Sequence, residues 1–120
     1  RTAQRQLAAR GYDPGTAEGW KGQVALAAKE HLPPTPIDIP VAMHLRFHLP
    51  RPRGHFGKRG LKPAAPCHHV TRPDIDNLAK AVIDALVAIG FLRDDCLVHL
   101  LFLTKRYAEA SPGCQVRIAW

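Results

Sequence analysis

Asp74, Asp76, Asp84, Asp94 and Asp95 are five of the chain's ten acidic residues, set in the run RPDIDNLAKAVIDAL and, a few residues on, RDDCLVHL. Two kinds of chemistry use carboxylates at this density. They dress helix ends and faces, or they hold a hard cation. An aspartate in a first helical turn complements the helix dipole by about 0.3–1 kcal/mol. Asp76, Lys80 and Asp84 at i,i+4 spacing add roughly 0.2–0.5 kcal/mol per pair. Neither effect calls for Asp94-Asp95 close by. Helical residues two apart point about 200° away from each other, so Asp74 and Asp76 converge only if Asp74 lies in extended chain just before the helix. One member of the Asp94-Asp95 tandem reaches the same place if the chain turns back alongside the helix start. Two or three carboxylates beside a lysine suit Mg²⁺, which prefers oxygen ligands and keeps waters for a phosphate to displace. Such a metal polarises a phosphoryl oxygen and activates water for in-line attack. Lys80, one turn from Asp76, would offset the charge that develops.

The elements that must position these groups are legible in outline. Pro73 to Ile89 reads as a helix with an apolar stripe of Ile75, Leu78, Val82, Ala85, Leu86 and Ile89, Pro73 in its first turn and Gly90 closing it. Thr16 to His31 reads as a second helix carrying Trp20, Val24, Leu26 and Ala27, stopped by Pro33-Pro34. After Pro40, Val41, Met43, Leu45, Phe47 and Leu49 alternate with Ala42, His44, Arg46 and His48, which predicts a half-buried strand with a basic outer face. A second strand is predicted over Leu97–Lys105. Val98, Leu100 and Phe102 oppose Leu97, His99, Leu101 and Leu103, and apolar residues on both faces predict an interior position, with His99 in the core or at a subunit contact. A third runs Cys114–Trp120, with Ser111-Pro112-Gly113 as the turn before it. Residues 1–14 read as a basic tract ending in a turn-like cluster.

Between the first strand and the acidic helix, residues 50–72 carry Arg51, Arg53, Lys58, Arg59, Lys62 and Arg72, three histidines, and no acid. Four prolines and three glycines there predict a structureless, mobile loop that grips phosphates. Cys67, His68, His69 and His55 lack the paired spacing of a zinc site. With 120 residues the chain is expected to form a single domain, 1–120. Its formal charge of +7 favours a polyanionic partner, nucleic acid first. No apolar run is long enough to span a membrane. Three cysteines without paired spacing point to a reducing, cytoplasmic setting.

The combination RPDIDNLAK at 72–80, Asp84-Ala85-Leu86, Asp94-Asp95 and a strand ending Lys105-Arg106-Tyr107 resembles the RusA family of Holliday junction resolvases. The resemblance implies a homodimeric mixed α/β fold, a small mixed sheet against two main helices. It also implies Mg²⁺-dependent cleavage of four-way DNA by paired symmetric nicks, with Mn²⁺ as a substitute. Carried over by position, Asp74, Asp76 and Asp95 are the metal-binding catalytic acids and Lys80 the essential lysine, with Asp84 and Asp94 in support. Lys105 is implied as a basic strand residue facing DNA, alongside Arg51, Arg53, Lys58, Arg59, Lys62 and Arg72. Tyr12-Asp13-Pro14 is similar to the motif that precedes the family's first helix. The family's proline-rich first strand would lie mostly before Arg1. Two other readings stay open at this point: a branched-DNA-binding module that does not cleave, and a basic structural or phage-assembly protein.

Overall fold

The computed structural model describes residues 4–9 and 17–120. Its main sheet has four strands: β1 (Gln4–Ala9), β2 (Val41–Leu49), β5 (Val98–Tyr107) and β6 (Gly113–Ala119). They lie in the order β1-β6-β2-β5, with β2 and β5 parallel and the other neighbours antiparallel. Helices α1 (Ala17–Ala28) and α2 (Ile75–Ala88) pack together, and their buried faces complete the core over one face of the sheet. This is the mixed α/β arrangement expected, two helices against a small mixed sheet.

The alternation in β2 becomes the core directly. Val41, Met43, Leu45, Phe47 and Leu49 are all buried and face Trp20, Val24 and Ala28 of α1 and Leu78, Val82, Ala85 and Leu86 of α2. Trp20 meets Phe47 edge-on with ring centroids 5.9 Å apart, a favoured aromatic geometry. Leu26 points away from this stripe and is exposed. In β6, Cys114, Val116 and Ile118 face inward while Gln115 and Arg117 face out.

Four expectations need correcting. First, residues 4–9 form a strand, β1, paired residue for residue with β6 from Gln4↔Ala119 to Ala9↔Cys114, in a stretch whose charge had marked it only as a basic tract. Second, β5 is an edge strand. Leu101 and Leu103 turn to the helix side, but Leu100 and Phe102 on the other side are exposed, so apolar character on two faces did not mean an interior place. Third, the alternation in β5 breaks: Val98 pairs with Val41 and Leu100 with Ala42, leaving His99 as an extra residue in a bulge. Fourth, residues 50–72 are not structureless. They contain a short 3₁₀ turn (Arg53–His55) and a two-stranded hairpin of β3 (Phe56–Gly57) and β4 (Gly60–Leu61), reversed by Gly60 at φ 101°. The turn before β6 also does not join neighbours, because β2 lies between β5 and β6. Tyr12-Asp13-Pro14, Thr16, Arg1 and Arg10 lie outside the described residues.

Candidate active site

α2 begins at Ile75, two residues after Pro73, so the proline precedes the N-cap rather than lying in the first turn as expected. Asp74 is the N-cap, with extended backbone at φ −71° and ψ 145°, and its carbonyl accepts the Leu78 amide at 3.1 Å. That is the conformation needed for Asp74 and Asp76 to converge. The Asp74 side chain makes no capping hydrogen bond, so the commonest structural job of an aspartate here is not being done. Asp76, in the first turn, accepts the Asn77 amide at 3.0 Å. Gly90, at φ 81°, ends the helix in the left-handed conformation that glycine adopts freely. The Phe91 and Leu92 amides return to the Leu86 carbonyl, and buried Phe91 and Leu92 fix the reversal of the chain.

That reversal brings Asp94 and Asp95 back beside the helix. A groove of about 430 Å³ runs between α2 and the start of β5, lined by Asp76, Lys80, Asp84, Asp95 and His99 over a floor that includes Ile83, Leu101 and Leu103. The helix and the chain entering β5 thus supply one polar wall together. Lys80 Nζ stands 3.6 Å from Asp84 Oδ2. Asp94 Oδ1 accepts the Cys96 amide at 3.2 Å, and that bond, with the neighbouring Asp95 carboxyl, draws the Asp94 pKa down. Asp95 moves the other way. Its hydrogen bond and repulsion with Asp94 raise its pKa, Asp84 adds to the rise, and the Lys80 charge opposes it. Asp95 therefore sits in the field of both helix residues. Asp74 lies at the helix tip and is not among the groove's lining residues.

Asp84 and His99 are the additions that the structure makes to this wall. Asp84 was held in support; the helical repeat 76, 80, 84 already places it there. His99 was read as core or contact, and the bulge exposes it into the groove. Bulges of this kind re-aim side chains next to active sites.

The basic positions divide. Arg53, Lys58, Arg59, Lys62 and Arg72 are exposed. Arg51 is half-buried and holds the loop: it donates to the Pro66 carbonyl at 2.8 Å and stacks over the Tyr107 ring, 4.2 Å from its centroid. Lys105 is also occupied. It projects to the helix side of β5, and its ammonium donates to the Thr71 carbonyl at 2.8 Å and the Pro73 carbonyl at 2.9 Å. Its charge thus ties the strand to the segment that delivers Asp74. His69 is buried against the Tyr107 ring, 4.8 Å between centroids, and burial together with Lys105 pushes its pKa down.

The model of the endodeoxyribonuclease RusA family matches residues 1–119. The chain belongs to the RusA family. That family comprises endodeoxyribonucleases that resolve Holliday junctions, hydrolases of DNA recombination that in general depend on a divalent metal. The chain is also 35% identical over 109 residues to the uncharacterized protein YqaN of Bacillus subtilis (strain 168), a match covering 88% of this chain and 75% of that protein. As a RusA-family endonuclease the chain has its two helices and sheet arranged around a groove that faces solvent. No helix among the described residues is long and apolar enough to cross a membrane.

The side chains bear on a metal as follows. Among the described residues no group of three or more His, Cys, Asp or Glu side chains is placed to hold a metal ion. The oxygen donors in the groove are the carboxylates of Asp76, Asp84 and Asp95, with the His99 imidazole beside them. Mg²⁺ is commonly held by one or two carboxylates, with waters and substrate phosphate completing its shell. The residues present fit that open kind of site.

Proposed function

We propose that this chain hydrolyses phosphodiester bonds of four-way DNA in a Mg²⁺-dependent reaction, with Mn²⁺ as a substitute, acting as a homodimer. The observation that carries the reading is the groove in which Asp76, Lys80 and Asp84 of α2 meet Asp95 from the chain before β5. Asp76 and Asp95, joined by Asp74 from the helix tip, would hold the metal. When bound, the metal supplies polarisation of the phosphoryl oxygen and acidification of a water. Lys80 places a positive charge beside the position of the scissile phosphate and offsets the negative charge that builds on it. Asp84 holds the Lys80 ammonium at 3.6 Å and limits where that charge points. Exposed Arg53, Lys58, Arg59, Lys62 and Arg72 contribute phosphate contacts that give affinity without reading sequence.

The dimer is supported by β5. Its outer edge has no partner strand among the described residues, and Leu100, Leu101 and Phe102 are 54%, 40% and 57% exposed beside it. Edge strands bearing such residues invite another chain. Two sites related by a two-fold axis match two symmetric nicks across a junction.

The deciding experiment is cleavage of a labelled synthetic four-way junction beside linear duplex, with Mg²⁺ or with EDTA. Paired nicks confined to the junction and lost in EDTA are expected. Tight junction binding with no cleavage in Mg²⁺ would mark a binding module instead, and equal cutting of linear duplex would remove the junction from the reading.

A further inference from the structure

One face of the sheet is left uncovered, since both helices pack on the other. On that open face β2 presents His44, Arg46 and His48, β5 presents Arg106, and β6 presents Arg117. The register places Arg117 opposite His44, and His48 opposite Arg106, so the cations spread across three adjacent strands, about 10 Å of sheet width. A shallow depression of about 400 Å³ runs among them, floored by Phe102, Thr104 and Gln115. No carboxylate lines this depression or the smaller one beside it at Gln6 and Arg117. Neither Arg46, Arg106 nor Arg117 is paired with an acid among the described residues. Their mutual charge is felt locally: partial desolvation, then Arg46 and Arg117, lower the pKa of His44.

We infer that this open face is a second DNA-binding surface, which takes the phosphate backbone of a duplex arm leaving the catalytic groove. Charge complementarity selects the occupant. A polyanion gains from every one of these cations, whereas a second copy laid face to face would oppose arginine to arginine. The path is short. Leu101 and Leu103 of β5 line the catalytic groove, and Thr104 and Arg106, further along the same strand, line the open face, so the two surfaces share one strand. The polar side chains offered are arginine, histidine, threonine and glutamine, which suit phosphate and sugar contacts and give no sequence preference.

The inference rests on the junction-cleaving reading, and its test separates the two. Binding of a labelled four-way junction is measured in EDTA from 50 to 300 mM salt for the wild type, Arg46→Gln/Arg117→Gln, Arg46→Lys/Arg117→Lys and the loop variant Arg53→Gln/Arg59→Gln. Loss of two phosphate contacts should weaken the first variant about ten-fold and lower the slope of log affinity against log salt by about 2, and the lysine variant should restore both. If the wild type and the loop variant differ as expected but Arg46→Gln/Arg117→Gln matches the wild type in affinity and slope, the face does not bind DNA. A change of oligomeric mass in that variant, measured by light scattering without DNA, would make the face an interface between copies and overturn the inference too. If the wild type binds no junction at all, the functional reading fails first and this one with it.

Discussion

Lys105→Met is the substitution that asks most of the structure. Methionine keeps the length and the apolar stem but deletes the two hydrogen bonds to the Thr71 and Pro73 carbonyls. Hydrogen bonds to a charged donor are worth about 1.5–3 kcal/mol each when shielded. Here one is exposed and the other part-buried, so together about 2–3 kcal/mol is the reasonable loss. For 120 residues the unfolding entropy is about 0.25 kcal/mol/K, which converts that loss to a fall of roughly 8–12 °C in melting temperature. The larger effect is local. Pro73 precedes Asp74, so freeing its carbonyl lets the Asp74 carboxylate drift, and a displacement near 1 Å costs about 10²-fold in rate. The assay pairs a thermal melt with single-turnover junction cleavage at saturating protein and with binding across salt. If Lys105 contacts DNA instead, the variant melts like the wild type, cuts at the same single-turnover rate, and loses about 0.9 from its salt slope. That pattern would refute a positioning role.

Asp76→Asn and Asp95→Asn should each abolish cleavage of a four-way junction while its binding persists or tightens, since a negative charge near phosphate is removed; wild-type cutting by either excludes that residue as a ligand. Asp84→Asn should slow cleavage yet move the melting temperature by no more than about 2 °C, because the Lys80–Asp84 pair is largely exposed and such i,i+4 pairs contribute about 0.3–0.5 kcal/mol; a normal rate would take Asp84 out of the site. Burial pushes the Cys114 thiol up to about 12, so a thiol reagent at pH 8 should label exposed Cys67 and Cys96 and reach Cys114 only on unfolding. The sign follows: the unfolded thiol ionises near 9, so this burial costs nothing below pH 9 and stability falls as pH climbs from there toward 12. Rapid native labelling of Cys114 would contradict its place in the core.

How far the sequence carried depended on whether a residue's surroundings were local. β2 was readable because five alternating apolar side chains fix its buried face by themselves, and α2 because its stripe and Gly90 agree, although Pro73 set its start two residues too early. The convergence of Asp76 with Asp95 followed from asking where the chain must go after Gly90. β1 was not readable: Gln4, Arg5, Gln6 and two alanines have little strand preference, and the pairing comes from β6 over a hundred residues away. The hairpin at 56–61 was masked by the prolines around it. Lys105 was carried over as a DNA-facing residue, and its place on the helix side comes from the register that pairs it with buried Phe47. The core place offered for His99 failed because one extra residue in a strand reverses every face after it, and nothing in the local pattern marks a bulge.

The strand order has a consequence for how the chain is made. β6, the last of the described strands in chain order, lies between β1 and β2. Until residues 113–119 leave the ribosome, β1 has no neighbour in this sheet and β2 is paired on its β5 side alone. The β2-α2-β5 unit, with its parallel pair and the catalytic groove, has every residue it needs earlier in synthesis. Sheet closure must then wait for a contact between segments more than a hundred residues apart, which is the slow kind of step in folding.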